Sequence, residues 1–182
     1  MRTAFPRVTV KLGASLDGRT AMASGESQWI TSPDARRDVQ RLRARHDAVL
    51  SSAETVLADG ASLTVRWDEL PPSVKAAYPK ETLRQPLRVI VDSQNRLTPD
   101  LPLFQSESPV LLARHKASGE WPEWVQQLEL PLLDGKLDLV SPLCCWLNGR
   151  STRCWLKRGH GCAARCWIKD WWMSWCSTRR QN

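Results

Sequence analysis

All six cysteines of this 182-residue chain, at 144, 145, 154, 162, 166 and 176, follow residue 140, and so do six of its ten tryptophans. Charge divides at the same place. Residues 1–140 carry 18 Lys and Arg against 18 Asp and Glu, whereas residues 141–182 carry 8 against 1, so the formal net charge of +7 belongs to the tail. Two compositions share one chain, and the fold must be sought in the neutral body. That body contains no cysteine, which excludes a disulfide framework and implies reduced thiols. At this length about 70% of the unfolded surface can be buried without metal or cross-links. No run of 18 apolar residues supplies a membrane span, and residues 1–10 lack the apolar stretch of a secretion signal. The expectation is a cytoplasmic protein with no membrane or nucleic-acid partner for its body.

Periodicity in the body predicts alternating strands and helices. Val8, Val10 and Leu12 alternate with Thr9 and Lys11 as in a half-buried strand. Ser32 and Pro33 open a helix whose Ala35, Val39 and Leu42 form an apolar face to about Arg45, the other face carrying Asp34, Arg36, Arg37, Asp38, Arg41 and Arg43. Residues 47–50, 87–92 and 109–113 read as further strands, and residues 69–85, with tandem prolines and a Tyr78-Pro79 step, as an excursion loop. Such alternation favours an α/β domain with a largely parallel sheet whose ligand crevice lies at the strand carboxyl ends.

No short signature announces chemistry: G-x-G-x-x-G, the P-loop, H-E-x-x-H and G-x-S-x-G are all absent. Lys11, on a strand that runs to the crevice, suits polarising or protonating a reacting group, though strand lysines are ordinarily just solvated. The helix arginines suit a phosphate, and the spacings Asp34/Arg37 and Asp38/Arg41 equally suit solvated ion pairs. Trp29 is either a core aromatic or a platform for a flat ring.

Read together, VTVKLGASLDGRTA at 8–21, SGESQWITS at 24–32 and TVLAD at 55–59 resemble the reductase domain of the bifunctional riboflavin-biosynthesis deaminase/reductase family, over residues 6 to about 140. The resemblance implies a dihydrofolate-reductase-like fold, a largely parallel sheet flanked by helices. It also implies NADPH as cofactor, and reduction of the ribosyl group of 5-amino-6-(5-phosphoribosylamino)uracil to ribityl, with homodimers in keeping. Carried over residue by residue, it implies that Gly13, Trp29, Thr55, Asp59 and Ser93 contact the cofactor. Ser27, Arg43, Leu63 and Arg66 would contact the phosphoribosyl-aminouracil, and Lys11 would orient the sugar oxygen during hydride transfer. Gly13 stands where the family commonly has alanine, and Gly60-Ala61 where it has a loop stiffened by proline, so a looser loop is expected there. The family's zinc deaminase half needs His-x-Glu and Cys-x-x-Cys, and a body without cysteine is not expected to deaminate.

The resemblance stops near residue 140, where the family continues through V-E-A-G-P to a string of the type D-Q-G-L-V-D-E-L-V. The genetic code accounts for the break. Read two bases later, WIKDWWMSWC at 167–176 becomes D-[QK]-[GR]-L-V-D-[EV]-L-V, five of its nine letters being forced by their codons. In the same frame WLKRGH at 155–160 admits V-E-A-G-P. A reductase domain over 1–140 followed by a frameshifted tail over 141–182 is therefore expected, the sheet incomplete at its C-terminal end and activity compromised. The competing expectation is a non-enzymatic binding protein whose basic Trp/Cys tail engages nucleic acid, an anionic membrane or a metal. Cys162, Cys166 and His160, however, match no standard four-ligand zinc spacing.

Overall fold

The computed structural model describes residues 7–11, 32–133, 136–138 and 153–157. Its centre is a six-stranded parallel sheet in the order β1-β8-β2-β3-β4-β5. The strands are β1 (Arg7–Lys11), β2 (Ala48–Ser52), β3 (Leu87–Val91), β4 (Val110–Arg114), β5 (Val125–Glu129) and β8 (Arg153–Lys157). Helix α1 (Pro33–Ala44) leads into β2, and α2 (Ala53–Asp59) leaves it. A small antiparallel pair, β6 (Leu132–Leu133) and β7 (Lys136–Leu137), follows β5. The fold is thus α/β with a parallel sheet and flanking helices, and four of the strands and α1 lie where periodicity puts them. Among the described residues no helix is long and apolar enough to cross a membrane.

Side-chain alternation sends two apolar sets to opposite faces of the sheet. On one face Val49, Ile90, Val110, Leu112 and Val125 pack with Ala53 and Val56 of α2, Leu63, Leu103 and Phe104, with Val39 of α1 against them. On the other, Ala48, Val89, Leu111 and Ala113 pack with Leu130 and Leu137. Continuous burial along β3 and β4 is what a central parallel strand requires, since both faces are covered.

Three expectations need correction. Ala35 does not face the core. It is exposed, Val39 and Leu42 are half-buried, and the residues α1 buries are Gln40 and Arg43. Arg43 therefore leaves the solvated face assigned to it, whereas Arg37–Asp34 at 3.2 Å and Arg41–Asp38 at 2.6 Å do form exposed pairs. Second, Gly60-Ala61 does not loosen the chain. Gly60 takes a left-handed φ of 55° as the C-cap of α2, and Ala61 N–H donates to Val56 O at 3.3 Å, a closure that suits glycine. Third, the tail does not leave the sheet without a strand here: β8 sits between β1 and β2, with Arg7 opposite Arg153 and Ala48 opposite Cys154.

Candidate active site

The carboxyl edge of the sheet gathers the ends of β1, β8, β2, β3 and β4. Lys11 ends β1, in register with Lys157 at the end of β8. Ser52 ends β2 opposite Val91 of β3. Strand order breaks at β8, which the chain reaches only after laying down β2 to β5, and such a break is where ligands enter open α/β sheets.

Ser52 has two duties. It closes β2 and caps α2, its Oγ accepting from Thr55 N–H at 3.3 Å. Thr55 is buried, and its hydroxyl lies 3.2 Å from the same Ser52 Oγ. The amide of Thr55 is therefore already used by the cap. Next to it, Ser93 is exposed on the turn after β3. That turn is set by Asp92, whose carboxylate accepts from Arg96 N–H at 2.9 Å and Leu97 N–H at 3.3 Å and receives Arg114 Nη2 from β4 at 2.8 Å. Asn95, with φ 52°, completes it. Asp59 lies at the other end of α2, about 10 Å along the helix axis from its cap at 1.5 Å per residue.

A second group forms where the last turns of α1 meet residues 63–69. Leu63 is wholly buried in the core and holds φ 60°, a left-handed conformation that costs a β-carbon-bearing residue about 1–2 kcal/mol. The turn it makes presents the Thr64 carbonyl to Arg43 Nη1 at 2.9 Å. Gln40, one turn before Arg43, accepts from Arg66 N–H at 3.2 Å and donates through Nε2 to Glu69 Oε2 at 3.0 Å. Glu69 Oε1 is ion-paired with Arg66 Nη1. Burial first, and the Arg66 charge second, push Arg43 down to about 10, with Glu69 opposing them. Arg43 still remains cationic at neutral pH.

The site residues named from sequence thus fall into two groups. Lys11, Thr55 and Ser93 lie at the carboxyl edge. Arg43, Leu63 and Arg66 lie together against α1, toward the amino ends of the strands. Asp59 belongs at the end of α2, and Gly13, Ser27 and Trp29 lie outside the described residues. Sequence reasoning missed Gln40, Glu69 and Asp92. The i,i+3 spacing of Arg66 and Glu69 was a readable signal of the same kind as the helix pairs, whereas nothing local marks Gln40 or Asp92.

Residues 6–143 match the model of the RibD C-terminal domain. The chain belongs to that family. Among relatives of the RibD C-terminal domain, the riboflavin biosynthesis protein RibD of Escherichia coli is 59% identical over 141 residues, covering 77% of this chain and 38% of the relative. The 5-amino-6-(5-phosphoribosylamino)uracil reductase of Buchnera aphidicola from Acyrthosiphon pisum is 33% identical over 139 residues, covering 76% and 67%. Acinetobacter baumannii RibD, form 1, superposes with a TM-score of 0.68 at 32% identity, covering 92% of this chain and 44% of that structure. This RibD C-terminal domain therefore spans about two fifths of the length of its full-length RibD relatives.

Proposed function

We propose that the chain is the reductase of 5-amino-6-(5-phosphoribosylamino)uracil in riboflavin biosynthesis, acting with NADPH in the cytoplasm as a homodimer. The observation that carries this reading is the similarity to the Buchnera reductase, of which the chain covers 67%. The site's chemistry supports it. A phosphorylated, polar substrate needs cations that a planar fork can direct, and Arg43 and Arg66 are two such groups brought to one loop. The polar rim at the ends of β1, β2 and β3 suits a dinucleotide; Ser93 is exposed on it and Thr55 is buried beneath it, and Gly13, Trp29 and Asp59 are assigned to the same ligand by family resemblance.

When bound, the cofactor supplies the hydride that the sugar C1 receives. The chain's own part is to bind and orient. Arg43 and Arg66 hold the phosphate end. The Leu63 turn keeps Arg66 in reach, and Ser27 adds a polar contact. By resemblance Lys11 would orient the sugar oxygen, and since it stands at the carboxyl edge the substrate would have to reach from there to the arginine group.

The tail after residue 140 is read as out of frame, which places the family's substrate-contacting glutamate and its glycine-rich phosphate turn outside this protein. The family match spans residues 6–143, while the alignment with the Haemophilus influenzae relative covers 87% of the chain and so runs past that point, which leaves the frame to be read from the DNA. Sequencing the DNA across codons 130–182 tests it: a single-base correction should restore V-E-A-G-P and D-E-L-V, and their absence in every frame refutes it. Deleting residues 141–182 is not a clean alternative test, because it removes β8 from between its neighbours.

For the activity itself, NADPH consumption with the phosphoribosyl-aminouracil should be slow in this chain and rise on frame restoration. Arg66→Ala in the restored protein should raise KM at least tenfold, an effect of about 1.4 kcal/mol or more. An unchanged KM would remove Arg66 from the substrate site.

A further inference from the structure

Glu69 is a carboxylate in contact with the arginine group, and both of its oxygens are engaged. One oxygen is ion-paired with Arg66 Nη1, and the other accepts from Gln40 Nε2 at 3.0 Å. Gln40 itself is buried and is locked by accepting from Arg66 N–H at 3.2 Å. The carboxylate therefore spans two donors, the neutral Gln40 on α1 and the cationic Arg66 that caps the turn Trp67–Glu69. Two oxygens of a phosphate monoester have the same demand.

The strength of the contact decides what can displace it. Arg66 is 59% exposed and Glu69 38%, and exposed ion pairs at i,i+3 are weak. A dianionic phosphate brings more charge and more acceptor oxygens than a carboxylate. Arg43 lies close enough to feel both Arg66 and Glu69, so a dianion in the place of Glu69 would meet two cations.

We propose that Glu69 is a built-in stand-in for the substrate phosphate, occupying Arg66 and Gln40 in the free protein and leaving when the phosphorylated substrate arrives. This rests on the reading of Arg43 and Arg66 as the phosphate site. It assigns Glu69 a specificity role. The site is closed to weak monoanions, which must compete with a tethered carboxylate, and it opens to a phosphate. It also keeps Arg66 ordered in the absence of ligand, so that little side-chain freedom remains to be lost on binding.

The test is calorimetric titration of the full chain with ribose 5-phosphate and with inorganic phosphate. Five proteins are compared: wild type, Glu69→Gln, Glu69→Ala, Asp68→Asn and Arg66→Ala. Asp68 is a neighbouring exposed carboxylate whose removal changes the net charge equally, and its side chain lies 3.9 Å from Lys80 instead of on Arg66. Glu69→Gln should bind both ligands about two- to fivefold more tightly, the factor that loss of a weak exposed pair allows. Asp68→Asn should match wild type, and Arg66→Ala should bind at least tenfold more weakly. Glu69→Ala, which removes the acceptor altogether, should tighten binding as Glu69→Gln does.

Equal or weaker binding in both Glu69 variants, with Arg66→Ala impaired, overturns the stand-in role and leaves the phosphate site intact. Equal tightening in Asp68→Asn overturns it too, as a general charge effect. Wild-type affinity in Arg66→Ala, or no binding by wild type, removes the phosphate site and the role of Glu69 with it.

Discussion

The two edges of the sheet each bury an arginine, and they neutralise it in opposite ways. Arg88, on the amino-end half of β3, is completely buried and meets no carboxylate among its described partners. Its guanidinium donates to the carbonyls of Ser62 at 3.1 Å, Ser108 at 2.5 Å and Leu103. Burial pushes it down to about 10. Arg114, at the carboxyl end of β4, is buried as deeply. It is paired with Asp92 at 2.8 Å, bonded to Gln127 Oε1 and Ser118 O at 3.0 Å, and set 4.8 Å from the centre of the Trp121 ring. One cation is wrapped by dipoles and the other by a full opposite charge.

The difference follows from what each edge must hold. At the amino edge Arg88 ties loop carbonyls from residues 62 and 103–108 to β3, satisfying acceptors that no strand reaches. That is a structural clasp. At the carboxyl edge Asp92 accepts two backbone amides as well as Arg114, and so fixes the turn on which Ser93 is displayed. The ion pair orders a segment that remains open to solvent.

The largest expected effect is at the carboxyl edge. Asp92→Ala strands the buried Arg114 charge and two amides, and should cost about 3–5 kcal/mol in urea unfolding. Arg88→Met removes a desolvated cation together with its bonds, so the orphaned carbonyls are partly offset, and about 1–3 kcal/mol is expected. Finding Arg88→Met the more damaging of the two would reverse the comparison.

Alkali sharpens the same contrast. The folded state holds Arg88 down near 10, below its ordinary value, so between the two the unfolded chain binds the extra proton and stability rises with pH through this group. Below about 10 both states are protonated and the burial cost is constant. Arg88→Met should therefore shift the stability curve by the same amount at every point from about pH 5 to 9. A difference that varies across that window would mean that Arg88 is coupled to another titrating group.

The same electrostatics explains what was legible in the sequence. β3 and β4 announced themselves as apolar runs, and Ser32 with Pro33 marked the start of α1, where Ser32 Oγ does accept from Ala35 N–H at 3.2 Å. The family strings carried the fold, and three of the residues assigned to the site, Lys11, Thr55 and Asp59, lie in those strings among the described residues. What was illegible depends on partners distant in sequence. Arg43 reads as one more solvated arginine until the Thr64 carbonyl comes to it from 21 residues away. Gln40 gives no hint of Glu69, which lies 29 residues on. β5, with Gln126 and Gln127 at its centre, lacks an apolar pattern because it pairs with β4 on one side only, and Gln127 Oε1 accepts from the Arg114 side chain at 3.0 Å. β8 arises from a segment whose composition argued against any part in the sheet.

The smallest expected effect separates cap from clasp at the carboxyl edge itself. Ser52→Ala removes the acceptor of the Thr55 amide at a half-buried helix start, for which about 1 kcal/mol is usual. Ser32→Ala removes the equivalent bond at an exposed start and should cost about half as much. Stability alone would treat both as caps. Cofactor affinity would not, because Ser52 holds Thr55 beside the crevice and Ser32 holds nothing at the edge. Titration with NADPH, followed by its fluorescence, should show weaker binding in Ser52→Ala and wild-type binding in Ser32→Ala. Equal affinity in the two variants would confine Ser52 to its structural part and leave the Asp92 turn as the ordered element of the edge.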